Sequence, residues 1–153
     1  MAGLEDIYHF EAPTEWLGTS GQPTAEQFPL IAAAGYEAVV NLAMPDSDRA
    51  IPEEGSLVTS LGMSYVQIPV DFAAPTNADL ESFFGVLRAF EGRKVWVHCV
   101  VNARVSAFVF RYLTEVKGYE AEAASTQLLK RWRPEMDEVW RRFLAAPEVG
   151  QTD

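Results

Sequence analysis

"VWVHCVVNARVSAF", Val95 to Phe108, is the stretch on which the reading of this chain turns. A hydrophobic, β-branched run meets a run with helical spacing, and at the junction stands the chain's one cysteine, Cys99, with His98 before it and Arg104 five positions after. A loop that leaves a strand and enters a helix points successive backbone N–H groups inward as an anion-binding nest, and the helix N-terminus adds roughly half a positive charge. Helix termini and nearby arginines favour the thiolate of a cysteine beside them, and an arginine clamps two oxygens of a bound oxyanion. Nucleophile and cradle in one short loop suit covalent attack on a phosphate ester. The plainer reading is that Cys99 and Arg104 only end a strand and begin a helix.

Outward from this junction the chain alternates. Val105, Phe108, Val109, Tyr112, Leu113 and Val116 repeat at i, i+3, i+4, i+7, i+8 and i+11 and predict an amphipathic helix stopped by Gly118. Upstream, "DFAAPTNADLESFFGVLRAFEG" predicts a loop and then a helix, capped from Thr76 to Asp79, apolar at Leu80, Phe83, Phe84 and Leu87 and stopped at Gly92. "MSYVQIPV" and "YEAVVNLA" predict strands, "SLVTSLG" a short helix, and "MPDSDRAIPEEG" a polar connection. "TAEQFPLIAAAG" predicts a helix with a capping box from Thr24 to Gln27, in which Pro29 sits awkwardly past the first turn; "EWLGTSGQP" predicts a short strand running into a turn. Two further helices divide near Pro134, with Leu128, Leu129, Trp132, Trp140 and Phe143 as their buried residues.

This order predicts an α/β fold, a mostly parallel central sheet flanked by helices on both faces. Ligands of such sheets sit at the carboxyl ends of strands, where Cys99 falls. No repeat or linker divides the chain, so one domain over residues 1–153 is expected.

Composition narrows the function classes. A chain of 153 residues, 48% hydrophobic, is neither disordered nor fibrous. No basic and apolar leader opens it and no run approaches the roughly 18 apolar residues of a spanning helix, so a cytoplasmic protein without a membrane partner is expected. One cysteine excludes an intrachain disulfide and a multi-cysteine zinc site. The net charge is -10, and it is uneven: Met1 to Leu87 carries 13 acidic residues against one basic residue, Arg49, whereas Arg88 to Asp153 carries 11 basic and 9 acidic. The half that holds Cys99 is the part able to attract an anion, and the overall acidity argues against nucleic acid as partner.

"VHCVVNARVSAF" resembles the active-site signature of the cysteine-dependent tyrosine and dual-specificity phosphatases, in which a strand ends in His-Cys and a phosphate loop closes on an arginine at the start of a helix. "WLGTSGQPTAEQF", "GYEAVVNLA", "IPVDFAAPT" and "RWRPEMDEVWRRFL" resemble, in order, parts of a bacterial group of small phosphatase-like proteins. The resemblance implies the nucleophile at Cys99, the phosphate-clamping arginine at Arg104, a phosphate-binding loop of Val100, Val101, Asn102 and Ala103, and a general acid at Asp71, on a loop after a strand. It implies that His98 tunes the nucleophile, and that the partner is a phosphorylated protein or small molecule, with no metal or organic cofactor.

The chain departs from the common pattern in three places. Four residues, not five, separate cysteine and arginine, which removes one amide from the cradle. The usual glycine is replaced by Asn102, a residue that tolerates positive φ. The hydroxyl just after the arginine is Val105, with Ser106 one position later. Four intervening residues are also seen in rhodanese-like sulfurtransferases, and a phosphate-binding module without turnover is a third possibility. An acid on a separate loop bears on the choice, because ester cleavage gains roughly 10²- to 10⁴-fold from protonation of the leaving oxygen and sulfur transfer has no such need. Asp71 stands 28 positions ahead of Cys99 and also fits a solvated turn; Asp46 and Asp48 are the other candidates, and Asp79 reads as a first-turn helix residue.

Overall fold

The computed structural model describes residues 2–149. Five strands form one sheet: β1 (Glu11–Thr14), β2 (Leu17–Ser20), β3 (Tyr36–Asn41), β4 (Ser64–Gln67) and β5 (Lys94–His98), in the spatial order β1-β2-β5-β3-β4. β2, β5, β3 and β4 run parallel, and β1 folds back antiparallel on β2 at one edge. The mostly parallel sheet is as predicted; the edge strand β1, which carries Pro13, is an addition. Proline removes a ladder donor and is tolerated at an edge, so this short strand lacks the pattern by which the others are read.

The central position of β5 explains why "KVWVH" is apolar almost throughout: it has a parallel neighbour on each side and helices on both faces. Side chains alternate between faces. Val95 and Val97, with Leu17, Ala38 and Val40, join α3 (Asn77–Ala89), α4 (Ala103–Glu115), α6 (Gln127–Trp132) and α7 (Glu138–Ala145) in one core. Trp96 and Val39 pack on the opposite face against Phe28 and Ile31 of α1 (Phe28–Ala33), Val58 of α2 (Glu54–Ser60) and Ile7. Gly18 lies beside Trp96 in the sheet because a Cβ there would stand 2.5 Å from the indole Cε3.

Several local predictions are met and some are corrected. Thr76 Oγ1 accepts from the Asp79 N–H at 3.0 Å and caps α3, and Gly92 and Gly118 take positive φ beyond the ends of α3 and α4. Pro29 is no obstacle, because residues 25–27 form a 3-10 turn and α1 begins only at Phe28, which puts the proline in its first turn. Leu129, Trp140 and Phe143 are buried as expected, but Leu128 and Trp132 are only half-buried, and a four-residue α5 (Ala121–Ala124) precedes α6. α4 is buried around nearly its whole circumference, Arg111 included. That arginine donates to the carbonyls of Phe143 (3.0 Å) and Pro147 (2.8 Å) and pairs with Glu115, so its charge closes the C-terminal end of α7.

Candidate functional site

The ends of β2, β5 and β3 are aligned by register: Ser20 is paired with His98, and His98 with Asn41. Beyond His98 the chain makes a tight loop through Cys99, Val100, Val101 and Asn102 before α4 begins at Ala103. Cys99 is fully buried, and Asn102 takes φ 72°, the left-handed conformation expected of the residue in the glycine's place.

Each carbonyl of this loop is held by a donor. Cys99 O is met by His98 Nδ1 (3.3 Å), Val100 O by the Gln22 N–H (3.0 Å), Val101 O by His9 Nδ1 (2.8 Å), and Asn102 O by the Ser106 N–H (3.1 Å) and hydroxyl (2.7 Å). In a trans peptide the N–H points opposite to the C=O. With these four carbonyls held by protein donors, the amides of Val100, Val101, Asn102 and Ala103 point the opposite way from them, an arrangement that suits an anion. Ser106 is committed to the base of this loop, donating to Asn102 O and accepting from Thr126 Oγ1 (3.0 Å).

Arg104, in the first turn of α4, is 6% exposed. Its Nη1 donates to Val70 O at 2.8 Å, and its Nε is buried without an acceptor among the described residues. An unmet buried donor costs about 1–3 kcal/mol, more when charged, so a ligand acceptor at that atom would be strongly favoured. Val70 immediately precedes Asp71, and Trp140 Nε1 donates to Phe72 O at 2.8 Å. The carbonyls of the two residues that flank Asp71 are thus held, Val70 O from α4 and Phe72 O from α7. Asp71 itself is exposed, and its Oδ1 accepts from the Ala73 N–H at 2.9 Å. Asp46 and Asp48 are exposed on the connection between β3 and α2, and Asp79 lies half-buried in the first turn of α3.

A buried polar layer lies under the loop. His98 Nε2 meets Glu54 Oε2 at 2.6 Å, and Gln22 Nε2 donates to Glu54 Oε1 at 2.7 Å. Burial drives the Glu54 carboxyl up, but the hydrogen bond and charge of His98, with Gln22 and Tyr65, outweigh it and hold Glu54 below the usual carboxylate range. Tyr65 is pushed up to about 12, chiefly by burial and, against the hydrogen bond from Asn41, by the Glu54 charge. It stays a neutral donor. Glu54, Gln22, His9 and Trp140 are site residues that the sequence did not mark; each acts across a long sequence separation, and nothing in its local pattern announces it. Among the described residues no group of three or more His, Cys, Asp or Glu is placed to hold a metal ion, and no helix is long and apolar enough to cross a membrane.

The family described as DSP-PTPase phosphatase fused to NAD+ kinase matches residues 9–140. The chain belongs to this family. A crystal structure of a candidate phosphatase (DUF442) from Shewanella putrefaciens CN-32 is similar at 34% identity and a TM-score of 0.84, covering 93% of this chain and 92% of that one. The core catalytic domain of the PP-IP phosphatase SIW14 from S. cerevisiae shares the fold, with a TM-score of 0.75 at 11% identity over 95% of this chain and 88% of that one. The beta-lactamase hydrolase-like protein of Agrobacterium fabrum is 34% identical over 94 residues, 59% of this chain and 21% of its own length. The chain therefore spans about a fifth of that curated relative. The phosphatase-like α/β fold and the membership of the phosphatase family agree with the resemblance drawn from the Cys99–Arg104 stretch.

Proposed function

We propose that the chain is a cysteine-dependent phosphoric monoester hydrolase acting on a phosphorylated protein or small molecule. The observation that carries this reading is the buried Nε of Arg104, without a partner among the described residues, beside a loop whose four carbonyls are all engaged by protein donors. Amides and guanidinium together suit a tetrahedral oxyanion at the end of β5, above Cys99. In the first step the Cys99 sulfur attacks phosphorus, the S–P bond forms and the P–O ester bond breaks, while Asp71 gives its proton to the leaving oxygen. In the second, the Asp71 carboxylate takes a proton from water, the hydroxide attacks phosphorus, and the S–P bond breaks to release inorganic phosphate and the cysteine.

Cys99→Ser tests it. The variant is expected to lose hydrolysis of a small aryl phosphate and to keep inorganic phosphate binding, since amides and Arg104 supply the affinity. Full hydrolytic activity in the variant would exclude Cys99 as nucleophile. Phosphate binding by the native chain without any hydrolysis would instead select the non-catalytic module.

One observation favours a second reading, a sulfurtransferase. The residue after Arg104 is Val105, and the nearest hydroxyl, Ser106, is engaged with Asn102 O, so no hydroxyl directly follows the arginine to assist departure of the thiolate from phosphorus. Sulfur transfer needs none. There the Cys99 sulfur would attack the outer sulfur of thiosulfate, forming one S–S bond as sulfite leaves with the other, and cyanide would then remove the sulfur as thiocyanate. Thiocyanate formation from thiosulfate and cyanide, with no phosphate release from aryl phosphates, would select this reading.

A further inference from the structure

Three of the four residues that donate to the carbonyls of the Cys99–Asn102 loop are neighbours that the fold brings there in any case. His98 precedes the loop, Gln22 follows the adjacent strand β2, and Ser106 lies in the first turn of α4. The fourth is a side chain from a distant segment, His9, whose Nδ1 lies 2.8 Å from Val101 O. A carbonyl only accepts, so Nδ1 carries the proton.

The contact is returned. Asn102 Nδ2 donates to His9 O at 2.8 Å, so the backbone of each residue pair is tied by the other's side chain. His9 takes φ 53°, a left-handed conformation that a non-glycine residue keeps only where its surroundings over-determine it. Its ring stacks on Tyr8 with centroids 4.0 Å apart and planes 18° from parallel, and the Arg49 guanidinium lies 4.6 Å from the Tyr8 centroid. Tyr8 O in turn accepts from the Gly21 N–H at 2.8 Å. An exposed histidine is thus fixed in backbone and ring, with one nitrogen aimed at the carbonyl of the loop's most exposed residue, Val101, which is 39% exposed.

We infer that His9 is a positioning residue of the anion cradle: through Val101 O it holds the Val101–Asn102 peptide with its N–H turned toward the bound oxyanion. The inference rests on the oxyanion-binding reading given above. No strand or helix bond secures this peptide, and with only four residues between Cys99 and Arg104 the loop has no spare amide to replace the one a peptide flip would remove. His9 does not touch the oxyanion.

Three substitutions separate this role from a structural one. His9→Asn keeps an N–H near the Nδ1 position and tolerates the left-handed backbone; His9→Gly relaxes the backbone but has no donor; His9→Phe keeps a ring for Tyr8 but has no donor. Titration with inorganic phosphate is expected to show about tenfold weaker binding in the Gly and Phe variants, the loss of one hydrogen bond to a charged group, and binding within about twofold of native in Asn. On any substrate turned over, KM should rise more than kcat falls. Thermal melts of the same samples establish that each variant is folded at the titration temperature. Native-like phosphate binding in Gly and Phe, or an equal loss in Asn, overturns the inference alone. A native chain that binds no phosphate overturns both the inference and the reading beneath it.

Discussion

Trp140 Nε1 donates to the carbonyl of Phe72 at 2.8 Å, from a helix 68 residues further along the chain. The same indole packs against Phe108 and Phe143 with ring centroids 6.5 and 5.3 Å away, so its place is set by the core under α4. On the other side of Asp71, Arg104 holds Val70 O. The C-terminal helix is therefore a structural support of the loop that carries the candidate acid, and Arg104 is its second support. Loss of the indole donor should be felt at Asp71 before it is felt at the proposed cradle, whereas a change at Arg104 strikes both at once.

Trp140→Phe isolates the first support. It keeps an aromatic ring in the core, removes the donor, and leaves a carbonyl on an exposed residue that water can reach. Stability is expected to fall by about 1–2 kcal/mol, from one hydrogen bond and a small loss of packing. Turnover of an alkyl phosphate should fall more than affinity for inorganic phosphate. Urea unfolding and a phosphate titration on the same sample check both parts, and an equal loss in the two would show that α7 supports the fold and not the loop.

Gly21→Ala tests the opposite wall. A Cβ at this position would stand 2.5 Å from Val100 O and 2.7 Å from the Tyr8 ring, and the first of these is backbone that cannot swing aside. The Val100 carbonyl would have to leave its place beside the Gln22 amide. We expect a stability loss of about 1–3 kcal/mol with the fold retained, and weaker phosphate binding. Phosphate affinity equal to that of the native chain would mean that the outward set of the Val100 carbonyl is not needed for the cradle.

What was legible in the sequence follows from range. Helices α3 and α4 show a 3.6-residue period over 13 residues each, and β3 and β5 are short apolar runs bounded by glycine or charge, so their local chemistry reports their structure. Asn102 was legible through the family resemblance, where it stands in the place of a glycine, because a loop that needs positive φ leaves few residue types to choose from. Glu54 was not. It follows another glutamate in a polar connection, and the partners that meet it when buried, His98 and Gln22, stand 44 and 32 residues away. His9 likewise reaches Val101 across 92 residues. Contacts of that range depend on topology, and one sequence does not specify which strand ends come to lie side by side.

Glu54 gives a prediction in pH. Its carboxyl is held below its ordinary value of 4.5 in the folded chain, so ionisation favours folding. That contribution is present above the unfolded value and is lost as pH falls through the folded one, which places the loss below about pH 4.5. Glu54→Gln should be less stable than the native chain at pH 7, and the gap should close as pH is lowered from 5 toward 3. Urea unfolding across that range measures it. A gap that stays constant would assign the cost to packing and hydrogen bonding instead of the carboxylate's charge.

The acid is tested by Asp71→Asn. Asp71 Oδ1 accepts from the Ala73 N–H at 2.9 Å, and asparagine keeps that acceptor, so the turn survives while the acidic proton is lost. The clamps on Val70 and Phe72 use backbone carbonyls and are untouched. If Asp71 protonates the leaving oxygen, turnover of an alkyl phosphate should fall by about 10²-fold or more, because an alkoxide leaves poorly without a proton. Turnover of nitrophenyl phosphate should fall much less, since its phenolate needs little help. A structural aspartate would give equal losses on both, because a displaced loop harms either substrate alike. Equal losses, or none, would remove Asp71 from the mechanism and direct the search to Asp46 or Asp48. Should neither of those show the dependence on leaving group, ester cleavage would have no acid on these loops, and thiosulfate would become the substrate to test first.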